Sequence, residues 1–318
     1  MDPTRPRLQD LARDGHAFGL PWSNQVKMPL TGFESSRVED ATRGPWLLSS
    51  PFDLSEASLT TLLPETGSWT ASFRDGFSTH ASSSHEHLSA SLGLTVGCPF
   101  LSASVSAEYD RTVQNNENGV QASRHSSYRV GRVILDTVPP LSVHAVALLQ
   151  GPRGETRFRE LYGDYYVCAY ELGADAGACL SASVESSSLE ERVTLTVTVK
   201  ALFASESVST TETSSSTSSS SLMTFCGYNT LAPSLPAYTL RGLGGDAQLQ
   251  LQQTTAAQLA KVATLDQELR GRLGGLGLAD GHRLALPACA ALCRSGVVVQ
   301  LLLAPFRRLT EYARLVKA

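Results

Sequence analysis

One glycine-punctuated run near the middle of the chain constrains the fold more than any other stretch. It spans 157–188 and reads RFRELYGDYYVCAYELGADAGACLSASVESSS. Phe158–Leu161 favours a short helix, and the aromatic and branched residues after Gly163 favour a half-buried strand. Gly173 and Gly177 interrupt that strand pattern, which indicates a bend, a bulge or a close backbone approach. The run therefore predicts a helix that leads into a long strand bent near Gly173, where we expect backbone angles that suit glycine.

Two stretches of period-two alternation flank this run and predict strands. The first begins at Leu88 and returns after the turn signal Asn115–Gly119, although its alanine, leucine and glutamate residues also tolerate a helix. The second is followed by Ser205–Ser221, which is almost entirely serine and threonine and is typical of a solvated low-complexity segment. We predict two inserts from these stretches, over 88–127 and 189–220. Their alternating apolar residues include Leu92, Leu94, Val96, Val193, Leu195, Val197 and Val199.

Shorter patterns predict the elements around the inserts. Trp69–Phe77 predicts a strand that ends in a turn at Asp75-Gly76, and Pro139-Pro140 stops the strand predicted for Tyr128–Val138. Residues 1–65 are rich in proline, glycine and charge, which predicts an irregular N-terminal extension packed on a main domain over 66–318. Further strands are predicted for Leu222–Leu231 and Gly296–Leu303, and helices for 141–150, 248–273, 287–294 and 305–317.

Composition and charge limit the class of protein. The chain has 318 residues, of which 42% are hydrophobic and 18% charged, as in an ordinary globular protein. A net charge of -4 gives no attraction to nucleic acid, so we expect no nucleic-acid partner. The first 15 residues lack the apolar core of a secretory signal, and no run approaches the roughly 18 apolar residues of a spanning helix. We therefore expect a cytoplasmic or non-classically released protein that associates with a membrane when active.

The cysteine and histidine residues are the candidate metal ligands of the chain. The six cysteines are scattered and form no CxxC pair, although Cys289 and Cys293 fall one helical turn apart. Without a secretory signal they are best interpreted as reduced, mostly buried thiols. His80, His85 and His87 lie close together in the sequence, but no carboxylate or cysteine at a suitable spacing completes a ligand set. We expect no metal and no cofactor.

The central run also resembles a family signature. Tyr162-Gly163-Asp164-Tyr165-Tyr166, six residues and then Gly173-Ala174 resemble the signature of the membrane-attack-complex/perforin superfamily. The family pattern is an aromatic residue, Gly, Thr or Ser, His, an aromatic residue, six residues and a Gly pair. Asp164-Tyr165 replaces Thr/Ser-His, and Ala174 replaces the second glycine. The signature and hinge residues that the resemblance implies are Tyr162, Gly163, Tyr166, Gly173, Gly177 and Gly227.

The resemblance extends to the layout of about residues 65–312, where the two inserts lie on either side of the signature. It implies an α+β fold with a bent four-stranded antiparallel sheet, two flanking helical or hairpin inserts and peripheral helices. In that family each insert is a helical cluster that can unroll into an amphipathic hairpin, and many subunits assemble into a ring whose hairpins form a barrel. The resemblance thus implies a homo-oligomeric pore-forming protein that acts on membrane lipid.

The amphipathic character of the two inserts indicates whether they could form the strands of a barrel. A barrel strand needs roughly 9–11 residues with one apolar face. Leu88–Tyr109 and Val193–Phe203 meet that requirement, whereas the returning arms Arg111–Ser127 and Ser205–Ser221 are polar. Because polar side chains that face lipid are costly, these arms count against a pore that acts alone. We therefore expect a pore former that needs a partner protein or a specific lipid for targeting.

Two alternatives stay open beside pore formation. The fold could serve as a binding protein that does not insert, or as a small-molecule biosynthetic enzyme such as a cyclase or isomerase. General acid-base catalysis requires a carboxylate or imidazole in a pocket, and no catalytic spacing is present in the sequence. The weak catalytic candidates are Asp164, Tyr165, Glu171, His80, His85 and His87.

Overall fold

The computed structural model describes most of the chain outside the two predicted inserts. It covers residues 8–22, 26–37, 44–55, 57–64, 69–78, 120–184, 193, 196–197, 199–200, 221–232, 237–241 and 245–317. The chain forms two compact units, which we call unit A (70–128 and 174–270) and unit B (2–69, 129–173 and 271–318).

Helices and antiparallel strands are mixed along the chain, as the α+β class predicts. The strands are β1 (Phe18–Pro21), β2 (Gly32–Phe33), β3 (Ser58–Leu62), β4 (Thr70–Ser78), β5 (Val120–Leu135), β6 (Tyr165–Val184), β7 (Ser221–Asn229), β8 (Ala237–Arg241), β9 (Arg283–Ala285) and β10 (Val298–Pro305). The helices are α1 (Leu8–Asp14), α2 (Val143–Gln150), α3 (Gly154–Tyr162), α4 (Gly245–Ala263), α5 (Leu265–Gly275), α6 (Ala288–Ser295) and α7 (Thr310–Lys317). Among these described helices, none is long and apolar enough to cross a membrane.

Unit A contains adjacent strands in the order β4, β5, β6, β7 and β8. β6 and β7 pair antiparallel from Ala176 opposite Asn229 to Val184 opposite Ser221. β5 starts in unit A and continues into unit B, whereas β6 starts in unit B and continues into unit A between Gly173 and Ala174. Two long connections join neighbouring strands of unit A: 79–119 lies between β4 and β5, and 185–220 lies between β6 and β7. Since β5 begins at Val120, the predicted first insert, 88–127, extended too far into the sheet.

The core of unit A joins the sheet to the second connection. Alternate residues of a strand share one face, and Leu180 of β6 and Phe225 of β7 are fully buried on the face that the helices cover. Val199 and Leu251 of α4 complete this cluster. The strand predicted over 193–203 was wrong for the part that the structure describes, because residues 193, 196, 197, 199 and 200 are helical. Tertiary burial of Val199 outweighs the local strand pattern here.

Unit B contains strands in the order β1, β10, β6, β5, β3 and β9, with β2 also paired to β6. The N-terminal residues, expected to be irregular, supply three of these strands. Phe18 of β1 lies opposite Leu303 of β10, and Leu59 of β3 lies opposite Leu135 of β5 and Leu284 of β9. These strands are two to five residues long, which is too short for an alternating pattern to stand out in the sequence. The predicted domain boundary near residue 65 stays a prediction.

An aromatic cluster forms part of the core of unit B. The ring of Phe158 lies 4.9 Å from Tyr162, 5.1 Å from Phe306 and 5.1 Å from Tyr312, measured between centroids. Tyr166 lies 5.2 Å from Phe306. Aromatic pairs at such distances add to the free energy gained by burial. The two aromatic positions of the signature, Tyr162 and Tyr166, therefore stabilise the fold.

Several local predictions differ from the structure. The turn predicted at Asp75-Gly76 is absent from the described chain, because β4 continues through both residues. The single helix predicted over 248–273 is divided at Thr264 into α4 and α5, although its apolar face is buried as predicted. Gly173 lies within β6, where its N–H donates to Val297 O at 2.8 Å, and it lacks the positive φ expected there.

The packing of the second connection predicts unequal effects of two nearby substitutions. Val199→Ala removes a fully buried side chain and should lower the free energy of unfolding of unit A by about 1–2 kcal/mol. Val197→Ala is the matched control, because Val197 is 55% exposed on the same segment and alanine favours a helix. Chemical denaturation monitored by circular dichroism measures both changes. Equal effects would contradict the packing of Val199.

Candidate functional site

The signature turn of unit B is formed by Gly163, which ends α3. Its φ of 84° and ψ of −167° lie in a region that only glycine adopts readily. Its N–H donates to Arg159 O at 2.9 Å. A Cβ at this position would lie 2.3 Å from Phe33 O, which is closer than side chains tolerate. The turn therefore requires glycine for both its backbone conformation and its contact with β2.

Asp164, the next residue, binds the N-terminal part of unit B. Its N–H donates to Phe33 O at 3.0 Å, and its carboxylate accepts hydrogen bonds from Ser35 N at 2.8 Å and Ser35 Oγ at 2.5 Å. Burial raises the pKa of Asp164, and the two hydrogen bonds from Ser35 offset only part of that rise. The acidic residue in the Thr/Ser position of the signature thus acts as a hydrogen-bond acceptor for Ser35.

An ion pair lies beside this turn. Arg159 of α3 donates from Nε to Glu34 Oε2 at 3.0 Å and from Nη2 to Glu34 Oε1 at 2.7 Å. Ser36 also donates to Glu34, from N at 3.2 Å and from Oγ at 2.5 Å. Burial alone would raise the pKa of Glu34, but the hydrogen bonds from Arg159 and Ser36 outweigh it and lower the pKa. Glu34 is therefore held as a carboxylate that fixes the N-terminal segment to α3.

A cleft of about 580 Å³ opens beside the turn. Its walls carry charges of both signs, from Arg159, Asp164 and Arg307, and the phenol of Tyr312. Tyr165, also in the wall, donates from Oη to Ala12 O at 3.2 Å and His16 O at 3.1 Å. Burial raises the pKa of Tyr165 to about 12, so the phenol stays protonated. The cleft thus lies beside the Arg159–Glu34 ion pair and the Tyr165 phenol. The polar atoms of both bind the N-terminal segment.

The weak catalytic candidates are not brought together by the fold. Glu171 lies on β6 and pairs with Arg129 Nε at 3.7 Å and Arg132 Nη2 at 3.5 Å. Seven residues of extended chain separate it from Asp164, which corresponds to about 20 Å. His80, His85 and His87 lie outside the described residues. Among the residues that are described, no group of three or more His, Cys, Asp or Glu is arranged to hold a metal ion.

The other predicted site residues lie on the strands of unit A, on the second connection, or outside the described residues. Gly177 and Gly227 lie on neighbouring positions of β6 and β7 in unit A. Val193 and Val197 are exposed on the second connection, whereas Val199 is buried. Leu92, Leu94, Val96 and Leu195 lie outside the described residues. Cys179, Cys289 and Cys293 are buried free thiols, as predicted, and Cys168 is partly buried.

Sequence reasoning missed Glu34, Ser35 and Arg159. Arg159 and Glu34 are 125 positions apart, and Glu34 lies in a stretch predicted to be irregular. The only signal in the sequence was Asp164 itself, an acidic residue in a position where the family pattern has a hydroxyl. An acceptor there implies a donor elsewhere, but the sequence does not identify it.

The signature turn predicts opposite effects for two glycine substitutions in unit B. Gly163→Ala should lower the free energy of unfolding by about 1–3 kcal/mol, because alanine is strained at this φ and its Cβ meets Phe33 O. Gly271→Ala is the control within α5, where a Cβ meets nothing within 4 Å, and should stabilise by about 0.5–1 kcal/mol. Thermal unfolding of both variants measures the difference. A stable Gly163→Ala protein would contradict the assigned conformation of the turn.

The two carboxylates predict opposite contributions to the pH dependence of stability. Glu34 has a pKa below its ordinary 4.5, so its stabilisation is present above that value and is lost as pH falls through the lowered pKa. Asp164 has a pKa above its ordinary 3.8, so its contribution favours the folded state as pH falls through the raised pKa.

Glu34→Gln should therefore lower the free energy of unfolding at pH 7 by about 2 kcal/mol, since hydrogen bonds to a charged group are lost. The deficit should shrink below pH 4.5, where wild type also loses the charge. Asp164→Asn should cost less at pH 7 than Glu34→Gln. Urea denaturation between pH 3 and pH 7 measures both variants, and a pH-independent deficit for Glu34→Gln would contradict the assignment.

Comparisons with known proteins find similarity only among solved structures. No family model matches the sequence, and no curated protein matches it. The crystal structure of GNIP1Aa from Chromobacterium piscinae is 15% identical, covers 94% of this chain and 55% of its own, and has a TM-score of 0.35. Suilysin, a cytotoxin from Streptococcus suis, is 10% identical, with coverages of 91% and 61% and a TM-score of 0.36.

A cell invasion protein with a MAC/Perforin domain from Bacteriodes thetaiotaomicron is 12% identical, with coverages of 79% and 56% and a TM-score of 0.27. The chain thus spans little more than half the length of the solved structures it matches. Its own strand order places a long connection after β4 and another after β6, on either side of the signature turn. The chain thus has a fold of the α+β class, in which the signature turn lies between the two long connections.

Proposed function

We propose that the protein oligomerises and forms a pore through its two long connections, 79–119 and 185–220, and that a partner protein or specific lipid targets it to the membrane. One observation carries the proposal. Residues 193–200 read VTLTVTVK, in which β-branched residues alternate as in a strand, yet the described residues of this stretch are helical. The segment is therefore held in a conformation that its own sequence disfavours.

The two conformations of this stretch present different faces. In the helix, Val193 and Val197 are one turn apart and exposed, whereas Val199 points elsewhere and is buried. In a strand, all three would lie on one face, because successive side chains alternate. Extension would therefore convert a dispersed set of valines into a continuous apolar stripe of the kind that faces lipid in a barrel.

The topology of unit A provides a path for this extension. The connection 185–220 joins the paired ends of β6 and β7, Val184 and Ser221. An extended hairpin could therefore continue the existing antiparallel ladder without changing its register. The connection 79–119 lies between β4 and β5, which are neighbours in the same sheet. Each connection is long enough to supply two arms of the roughly 9–11 residues that a barrel strand needs.

The enzyme alternative receives less support from the geometry. Its candidates within the described residues do not converge, and the polar atoms of Asp164 and Tyr165 are used in binding the N-terminal segment. A binding protein that does not insert remains the alternative outcome of the experiment below.

The proposal predicts that a covalent link between the second connection and the sheet abolishes membrane leakage. Val199→Cys combined with Ala182→Cys places two thiols in one buried cluster, where oxidation tests whether a disulfide can join them. The matched control is Val197→Cys with Ala182→Cys, because Val197 is exposed on the same segment. Mass spectrometry of the oxidised proteins identifies which pair forms the bond.

Dye release is then measured from phosphatidylcholine vesicles with cholesterol, with and without anionic lipid, while electron microscopy checks for rings. We expect leakage from wild type and from the reduced variant, loss on oxidation, and recovery on reduction. Leakage that persists with the bond in place would overturn the hairpin mechanism. Binding to vesicles without leakage or rings would favour the non-inserting alternative.

A further inference from the structure

The buried side chain of Gln258 connects α4 to two strands of unit A at once. Its exposed fraction is 2%, and Nε2 donates to Gly177 O of β6 and to Tyr228 O of β7, both at 3.0 Å. Gly177 and Tyr228 lie directly opposite each other in the β6–β7 ladder. One carboxamide therefore holds a helix to both strands of a cross-strand pair.

Two glycines lie beside this arrangement, and one of them makes room for Gln258. A Cβ on Gly227 would lie 2.8 Å from Cδ of Gln258, and a Cβ on Gly177 would lie 2.5 Å from the ring of Tyr228. Both glycines were predicted as hinge residues from the resemblance. Their contacts indicate a different local reason for glycine, since each lets a polar side chain approach the sheet closely.

The strand held by Gln258 has further polar contacts. Asn229, next to Tyr228, donates from Nδ2 to Glu268 Oε2 of α5 at 3.1 Å. The hydroxyl of Tyr228 contacts Nδ1 of His125 on β5. The Asn229 bond thus gives β7 a second polar link to a helix, and the His125 contact links β7 to β5.

The same helix contacts the second connection. Leu251 of α4 belongs to the buried cluster that contains Val199, and Leu259, beside Gln258, packs against it. α4 therefore shares a buried cluster with Val199 through Leu251 and is bonded to the strands β6 and β7 through Gln258. We call the two hydrogen bonds of Gln258 the anchor of α4. Loss of this anchor would weaken both contacts together.

We infer that Gln258 is a positioning residue that keeps α4 on the β6–β7 pair and thereby keeps Val199 in the buried cluster that it shares with Leu251. The anchor is a property of the resting protein. Its consequence for leakage rests on the proposed function, because release of the segment matters only if the segment inserts.

Hydrogen-deuterium exchange followed by mass spectrometry tests the anchor in the full chain. Gln258→Ala should speed amide exchange by about tenfold or more in 193–200 and in β7, because two buried hydrogen bonds are lost. Exchange in β10 of unit B should not change. Gln252→Ala is the matched control, since Gln252 is an exposed glutamine on the same helix. Equal exchange in the two variants would overturn the inference.

A double-substitution cycle with Gly227 separates the anchor from general destabilisation. Gly227→Ala should speed exchange strongly in the wild-type background, where its Cβ meets Gln258. It should have little effect in the Gln258→Ala background, where that space is free, so the two effects are not additive. Additive effects would contradict the contact. If exchange behaves as expected but Gln258→Ala leaves the rate of dye release unchanged, the anchor stands and the proposed function of the second connection fails.

Discussion

The hydrogen bonding of β6 is the constraint on which the rest of the structure depends. This strand spans 20 residues, and it pairs with β10 and β2 in unit B and with β7 in unit A. Backbone groups in a buried strand must be paired, so every neighbour of β6 is fixed in register by it. The signature turn stands at its first residue and the second connection leaves at its last. One strand thus links the signature turn to the segment proposed to refold.

The parts of the fold that were predicted are those encoded by neighbouring residues. The long strand after Gly163, the buried terminal strand and the apolar face of α4 and α5 all follow from local periodicity. The N-terminal strands escaped prediction because strands of two to five residues contain too few alternations. The pair between Glu34 and Arg159 escaped it because only the folded chain brings positions 125 apart into contact.

The glycines show how a correct residue can receive an incorrect role. The sequence placed special backbone geometry at Gly173, which is extended in β6, whereas the positive φ belongs to Gly163, four residues after Arg159. Gly177 and Gly227 matter through the side chains of Tyr228 and Gln258, which the missing Cβ atoms admit. A sequence shows where glycine occurs, but the reason depends on which group approaches it from a distant part of the chain.

The helical state of the described residues between 193 and 200 depends on a small balance of free energies. Among its described residues, Val193, Thr196, Val197 and Val199 are β-branched, and each is less favourable in a helix than alanine by about 0.5 kcal/mol. Their sum, about 2 kcal/mol, is similar to the gain of roughly 1.5–3 kcal/mol from burying one valine. Val199 is buried in a cluster that also contains Leu251 of α4, so the position of α4 contributes to this balance. A change that removes α4 would leave the segment free to follow its own preference for a strand.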